Sequence, residues 1–293
     1  MPQMHRTELP QQGYSLVEML VSVAVMTIIV GGIFVITTQN QMYGRNGSDA
    51  SETIQNARSA FELMSREIKS AGLGYPARQA FAAASPVSLT IRGTFPKITA
   101  VATAANPATG ELTLNSIAGF AAGQRVLLID ANSSVAAYTS ITSVDTATGT
   151  LTVATGISTQ PAAMWPVPAT AATTINDFGA GTSVSVVQCI TYSLTSDGRL
   201  MRSVAPELGA TATETSELAS SVLDANGAGG LRFRYYDAGG TEIVTSTSSP
   251  TPAADLTRMT LVGLDLSARS RNRAFFTKEF QTVLLTTEAK PRG

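Results

Sequence analysis

"GYSLVEMLVSVAVMTIIVGGIFVITT", residues 13–38, is the stretch on which the fold turns. From Leu16 to Ile36 its one charged side chain is Glu18. As a helix rising about 1.5 Å per residue, that run covers roughly 30 Å, the thickness of a bilayer's hydrocarbon layer. It is a transmembrane candidate. A cleaved secretory signal fits less well: the apolar run is too long, and no small-x-small site closes it before TTQNQ. The preceding segment, MPQMHRTELPQQG, is balanced in Arg and Glu. A carboxylate at bilayer depth costs about 2.5–3.5 kcal/mol or more without a partner, so Glu18 needs a physical reason to be there.

The helical signal outlasts the apolar one. No proline falls between Pro10 and Pro76. Ile54, Ala57, Phe61, Met64, Ile68 and Ala71 recur at helical spacing and form one stripe. Glu52, Arg58, Glu62, Arg66 and Lys69 lie off it, with Glu62 and Arg66 at a favourable i,i+4 spacing. Gly72, Gly74 and Pro76 supply the stop. The pattern predicts one helix from about Tyr14 to Ala71, on the order of 85 Å long. Its first half faces lipid and its second half lies on a globular domain. Gly31 and Gly32 weaken the helix by about 1 kcal/mol each. They mark either a place where it opens or a small surface where another helix packs closely.

GYSLVEML resembles the processing site of type IV prepilins: a short polar leader ending in glycine, an aromatic residue, and glutamate at the fifth place after the cut. The resemblance implies cleavage between Gly13 and Tyr14 by a prepilin peptidase on the cytoplasmic face, with methylation of the new Tyr14 amine. Tyrosine stands where that family usually has phenylalanine. It also implies that Glu18 meets the terminal amine of a neighbouring subunit as helices stack. The charge is then a register device, paired in the fibre and costly outside it. A local alternative has Glu18 reaching back one turn to its own amine or snorkelling to the interface.

Beyond Pro76 the period changes from helical to two. VSLTI, ELTLN, RVLLI, GTLTV, TSVSVVQCITYSL, RLMRSV, GLRFRYY, TRMTLVGLDLSAR and FFTKEFQTVLLTT read as strands. Asp197-Gly198, Asn226-Gly227 and Gly239-Gly240 read as turns between them. ITAVATAANPATGELTL from Ile98 is similar to ITSVDTATGTLTV from Ile141, each with a Thr-Gly (Gly110, Gly149) between alternating runs. Two such hairpins would pair into a small β-module, unless the likeness is convergence of Ala/Thr-rich turns. QPAAMWPVPA (160–169) reads as an extended connector whose Trp165 either covers its own core or makes a contact.

ARSAFELMSREIKSAGLGYP is similar to the end of the first helix in PilW-like minor pilins. CITYSL, GRLMRSV, GLRFRYYD and FTKEFQTVLL resemble the paired strands of that group. The expected fold is α+β and pilin-like: a long N-terminal helix packed on an antiparallel sheet, with an inserted β-module. The expected division is 1–13 leader, 14–73 helix (14–38 transmembrane and filament core) and 74–293 periplasmic β-rich domain, with the module at about 85–170.

Little in the sequence points to catalysis or to a bound group. The formal net charge is -1, which gives no reason to expect nucleic acid. Histidine occurs once, at His5 in the expected leader, and cysteine once, at Cys189. That removes Ser-His-Asp and Cys-His catalysis and the usual zinc sites, and no GxGxxG or P-loop follows a strand. Glu207, Glu214 and Glu217 read as a solvated loop or short helix face, and Asp224 with Asn226 as a turn rather than a metal site. Arg269, Arg271, Arg273 and Lys278 read as a hairpin tip, either solvated or contacting an acidic neighbour. The expectation is a non-catalytic minor pilin with no catalytic residue, metal or cofactor. The resemblance implies as partners the prepilin peptidase, other minor pilins, the major pilin, the inner-membrane assembly platform and membrane lipid. It places the chain as a single-pass inner-membrane protein, domain periplasmic, that reaches the surface in a pilus. A J-type pseudopilin of type II secretion and an adhesin head on a pilin stalk are the alternatives.

Overall fold

Helix α1 runs unbroken from Leu16 to Ser70, about 80 Å. The computed structural model describes residues 15–72, 80–106, 108–130, 136–154, 178–224, 226–273 and 279–291. The second half of α1 buries Ala50, Thr53, Ala57, Ala60, Met64 and Ile68. That stripe is rotated slightly from the expected one: Thr53 and Ala60 join it, while Ile54 and Phe61 are only partly covered. Its earlier part, Ala50 to Ala60, is made of small residues that let the sheets come close, and Met64 and Ile68 fill the core beyond them. The helix stops where expected. Ala71 is extended, and Gly72 takes φ 78° and donates its N–H to the Arg92 carbonyl at 2.9 Å. Gly74 and Pro76, the other expected stop signals, lie outside the described residues.

Strands follow in the order β1 (Phe81–Ala84), β2 (Ser88–Gly93), β3 (Thr99–Asn106), β4 (Glu111–Leu114), β5 (Arg125–Ile129), β6 (Ala136–Asp145), β7 (Thr150–Val153) and β8 (Ser183–Leu194). Then come β9 (Leu200–Ala205), β10 (Glu214–Ala219), β11 (Leu231–Tyr236), β12 (Glu242–Ile243), helix α2 (Ala253–Arg258), β13 (Leu261–Arg273) and β14 (Phe280–Ala289). Two expectations fail here. Glu214 and Glu217 stand on strand β10 rather than in a loop, and the run expected to be a strand from Thr257 begins inside α2.

Two antiparallel sheets hold the second half of α1. One joins β1, β2, the second half of β8, β9 and β10, and the other runs β12-β11-β13-β14. Their shared core includes Met64 and Ile68 from the helix with Leu89, Ile190, Tyr192, Phe233, Tyr235 and Leu264 from the sheets.

The repeat-bearing segment closes on itself. β8 pairs with β3 and with β5 through its first residues, Ser183–Val187, and the path β3-β4-β7-β6-β5 returns to β8. The result is a six-stranded antiparallel barrel. Leu112, Val126, Leu128, Ile141, Leu151, Val184 and Val186 fill its interior, as a barrel of this size requires. The two hairpins are structural counterparts. Gly110 and Gly149 have φ 72° and 68°, where only glycine is unstrained. Asn106 and Asp145 each accept from the amide two residues on, and Leu112 faces Leu151 across β4 and β7. Leu114 N–H donates to the Gly149 carbonyl at 3.0 Å, and Val153 N–H to the Gly110 carbonyl at 2.9 Å, a reciprocal pair. β2 falls within the expected 85–170 stretch but pairs outside the barrel, whereas Ser183–Val187 fall beyond that stretch and complete it.

Three contacts order the domain along α1. The end of β13 meets Asp49, β9 meets Glu67, and the end of β2 meets Gly72. Arg92 at that end is the register partner of Cys189, and from there β8 continues into the barrel. The barrel therefore lies past the C-terminal end of α1, opposite the apolar half.

Candidate functional site

The helix begins at Ser15, whose carbonyl accepts from the amides of Glu18 at 3.0 Å and Met19 at 3.1 Å. Glu18 thus sits in the first turn, where the free N–H groups and the helix dipole favour a negative charge. From Leu16 to Ile36 every residue is exposed, and the folded domain covers none of this surface. Ser22, Thr27, Thr37 and Thr38 return their hydroxyls to carbonyls one turn back, so these hydroxyls are satisfied within the helix itself. A helix apolar all round and uncovered by its own chain is built for lipid or for other helices. Gly31 and Gly32 lie within it, with open space around each and the helix unbroken through both. They are well over two turns from Glu18, so the structure does not bring these residues together. Gly13 and Tyr14, the expected cleavage pair, lie outside the described residues.

Residues 9–34 match the family described as the prokaryotic N-terminal methylation motif. The match supports a type IV prepilin-like protein. In such a chain the motif implies processing by a prepilin peptidase and partners among pilins. Its apolar helix is consistent with membrane anchoring. No curated protein and no solved structure matches the chain.

A second feature of this pilin-like chain escaped the sequence reading. Glu67 of α1 is held by Arg202 of β9, Nε to Oε2 at 3.1 Å and Nη2 to Oε1 at 2.9 Å, and it also accepts from the Tyr192 hydroxyl. Burial, then the nearby Glu67 charge, pushes the Tyr192 hydroxyl far above its ordinary value. The one available signal was position, since Glu67 directly precedes Ile68 of the buried stripe. Among the described residues, this pair rather than Glu62–Arg66 is the ion pair of the helix's second half.

The other singled-out residues have structural places. Glu207 pairs with Arg125 and so links the loop after β9 to the barrel. Glu214 lies 3.7 Å from Arg202, and Glu217 lies 3.7 Å from Arg199. Asp224 accepts from the amides of Asn226 and Ala228 at 2.8 and 2.9 Å, as a turn residue does. Cys189 is buried, and burial raises its thiol pKa, which leaves it a poor nucleophile. The β13 end of the expected solvated tip is anchored: Asp49 accepts from the backbone amides of Arg271 and Asn272 at 3.1 and 3.2 Å. The Arg269 guanidinium stacks 4.2 Å from the centre of Phe280. Lys278 and Trp165 lie outside the described residues.

Proposed function

We propose that this chain is a non-catalytic minor pilin of the PilW-like kind. It is cleaved between Gly13 and Tyr14, methylated on Tyr14, and used to prime a type IV pilus or built into one. One observation carries the reading: the apolar half of α1, with Glu18 in its first turn, is left bare by its own domain. A bare apolar rod of this length is stable only in a bilayer or among similar rods. In the proposed fibre Glu18 meets the Tyr14 amine of an adjoining subunit, and the domain stands on the periplasmic side of the inner membrane. Its partners there are the peptidase, sister minor pilins, the major pilin and the assembly platform.

Mass spectrometry of the chain purified from its native membranes tests this. The expected N-terminus is methylated Tyr14. An intact Met1 overturns the reading. In a deletion strain, loss of surface fibres supports the pilus assignment, whereas intact fibres with blocked export of secreted proteins assign the chain to a J-type pseudopilus. The barrel beyond the end of α1 favours an added role as a carried head. Binding of the full chain to an external surface, lost when the barrel is excised, would support it.

A further inference from the structure

Between the bare apolar half of α1 and its gripped half lies a stretch of different character, Thr37–Asp49. Its sequence is TTQNQMYGRNGSD. Gly44 and Gly47 are exposed, and a Cβ at either would meet nothing within 4 Å. The domain's hold builds up only toward the end of this stretch: Asn46 reaches the Arg273 carbonyl at a long 3.5 Å, Asp49 takes two backbone amides, and Ala50 is the first buried residue. Glycine is the poorest helix former after proline, and Asn, Ser and Asp compete with the helix for backbone hydrogen bonds. This stretch is therefore helical by continuity with its neighbours more than by its own preference.

Gly31 and Gly32 are the competing weak point, and the solvent decides between the two. Opening a helix in hydrocarbon strands amides and carbonyls that nothing can satisfy. In the polar stretch water takes them up. We infer that, while the chain stands alone in a bilayer, α1 bends at Gly44–Gly47 and not at Gly31–Gly32, so the domain pivots on a straight membrane rod. The pivot lets the apolar rod seat among its neighbours before the domain finds its own contacts. This rests on the membrane reading above.

The test is hydrogen exchange of the full chain in phosphatidylcholine/phosphatidylglycerol nanodiscs, read by mass spectrometry. Amides at 41–49 are expected to exchange at least about tenfold faster than those at 20–36 and 57–70. Gly44→Ala with Gly47→Ala, which no neighbour obstructs, is expected to slow 41–49 by about thirtyfold, the effect of two glycine-to-alanine steps. Gly31→Ala with Gly32→Ala is expected to leave 41–49 unchanged. Protection at 41–49 equal to that at 57–70, fastest exchange at 31–33, or no response to the Gly44/Gly47 pair overturns the pivot alone. Rapid exchange throughout 20–36 overturns the membrane reading and the pivot with it.

Discussion

Arg202 on β9 closes on Glu67 of α1 with two hydrogen bonds, one to each carboxylate oxygen, at 3.1 and 2.9 Å, while both side chains are only 16% exposed. This grip ties the helix to the sheet at a fixed height. Removing one partner leaves the other's charge poorly hydrated, which is where buried pairs show their largest effects. Glu67→Ala and Arg202→Ala are each expected to cost about 2–4 kcal/mol. The double variant is expected to cost less than their sum, with a coupling of about 1–3 kcal/mol by denaturant unfolding. Simple additivity would show that the pair contributes nothing as a pair.

Tyr192, beside that pair, sets an alkaline limit on stability. Its hydroxyl stays protonated in the fold well above the value of 10 at which the unfolded chain ionises. The unfolded state then binds fewer protons, so stability is full below about pH 10 and falls as pH rises beyond it. Tyr235, buried and donating to the Ser85 carbonyl at 2.8 Å, acts in the same direction. In Tyr192→Phe the stability lost between pH 9 and 11 should be smaller by about 1.4 kcal/mol in total. Unfolding midpoints between pH 9 and 11 measure it, and an unchanged slope would refute the assignment.

Gly230 admits no side chain. A Cβ there would stand 2.2 Å from the Ser267 carbonyl oxygen and 2.9 Å from the Leu223 amide nitrogen. Both are backbone atoms of paired segments and cannot rotate away. Gly230→Ala is expected to lose about 3 kcal/mol or more, or to fail to fold. Gly179→Ala, in open space, is the control and should stay close to wild type.

Glu18→Ala should leave the helix and its membrane insertion intact, because the side chain makes no contact with the domain. If the carboxylate sets register, the variant's share in sheared filaments should fall at least tenfold against its share in membranes, by quantitative immunoblot. Undiminished incorporation would remove the register role while leaving the processing site in place.

The long helix was legible because its two halves carry strong local signals: an apolar run the length of a bilayer, then a stripe at helical spacing closed by Gly72. The barrel was half legible. Its two hairpins announced themselves through Gly110 and Gly149, but closure depends on β8 pairing with β3 and β5, contacts far apart in sequence that no local pattern encodes. β10 was misread because ETSELA lacks apolar alternation. It is a strand because β9 offers it a ladder and because Arg199 and Arg202 face its acids. Glu67 was passed over because a charged residue beside a buried stripe looks solvated until its partner is known.

β8 belongs to both the barrel and the sheet that grips α1, and this gives the molecule a mechanical character. A load on the barrel, drawn away from the membrane anchor, travels down β8 and, through residues 94–98, down β2, into the ladders these strands make with β9 and β1. The ladder bonds lie across the pull and are strained together in shear rather than peeled one by one. Tension at the far end should thus reach the anchoring rod with the domain still folded.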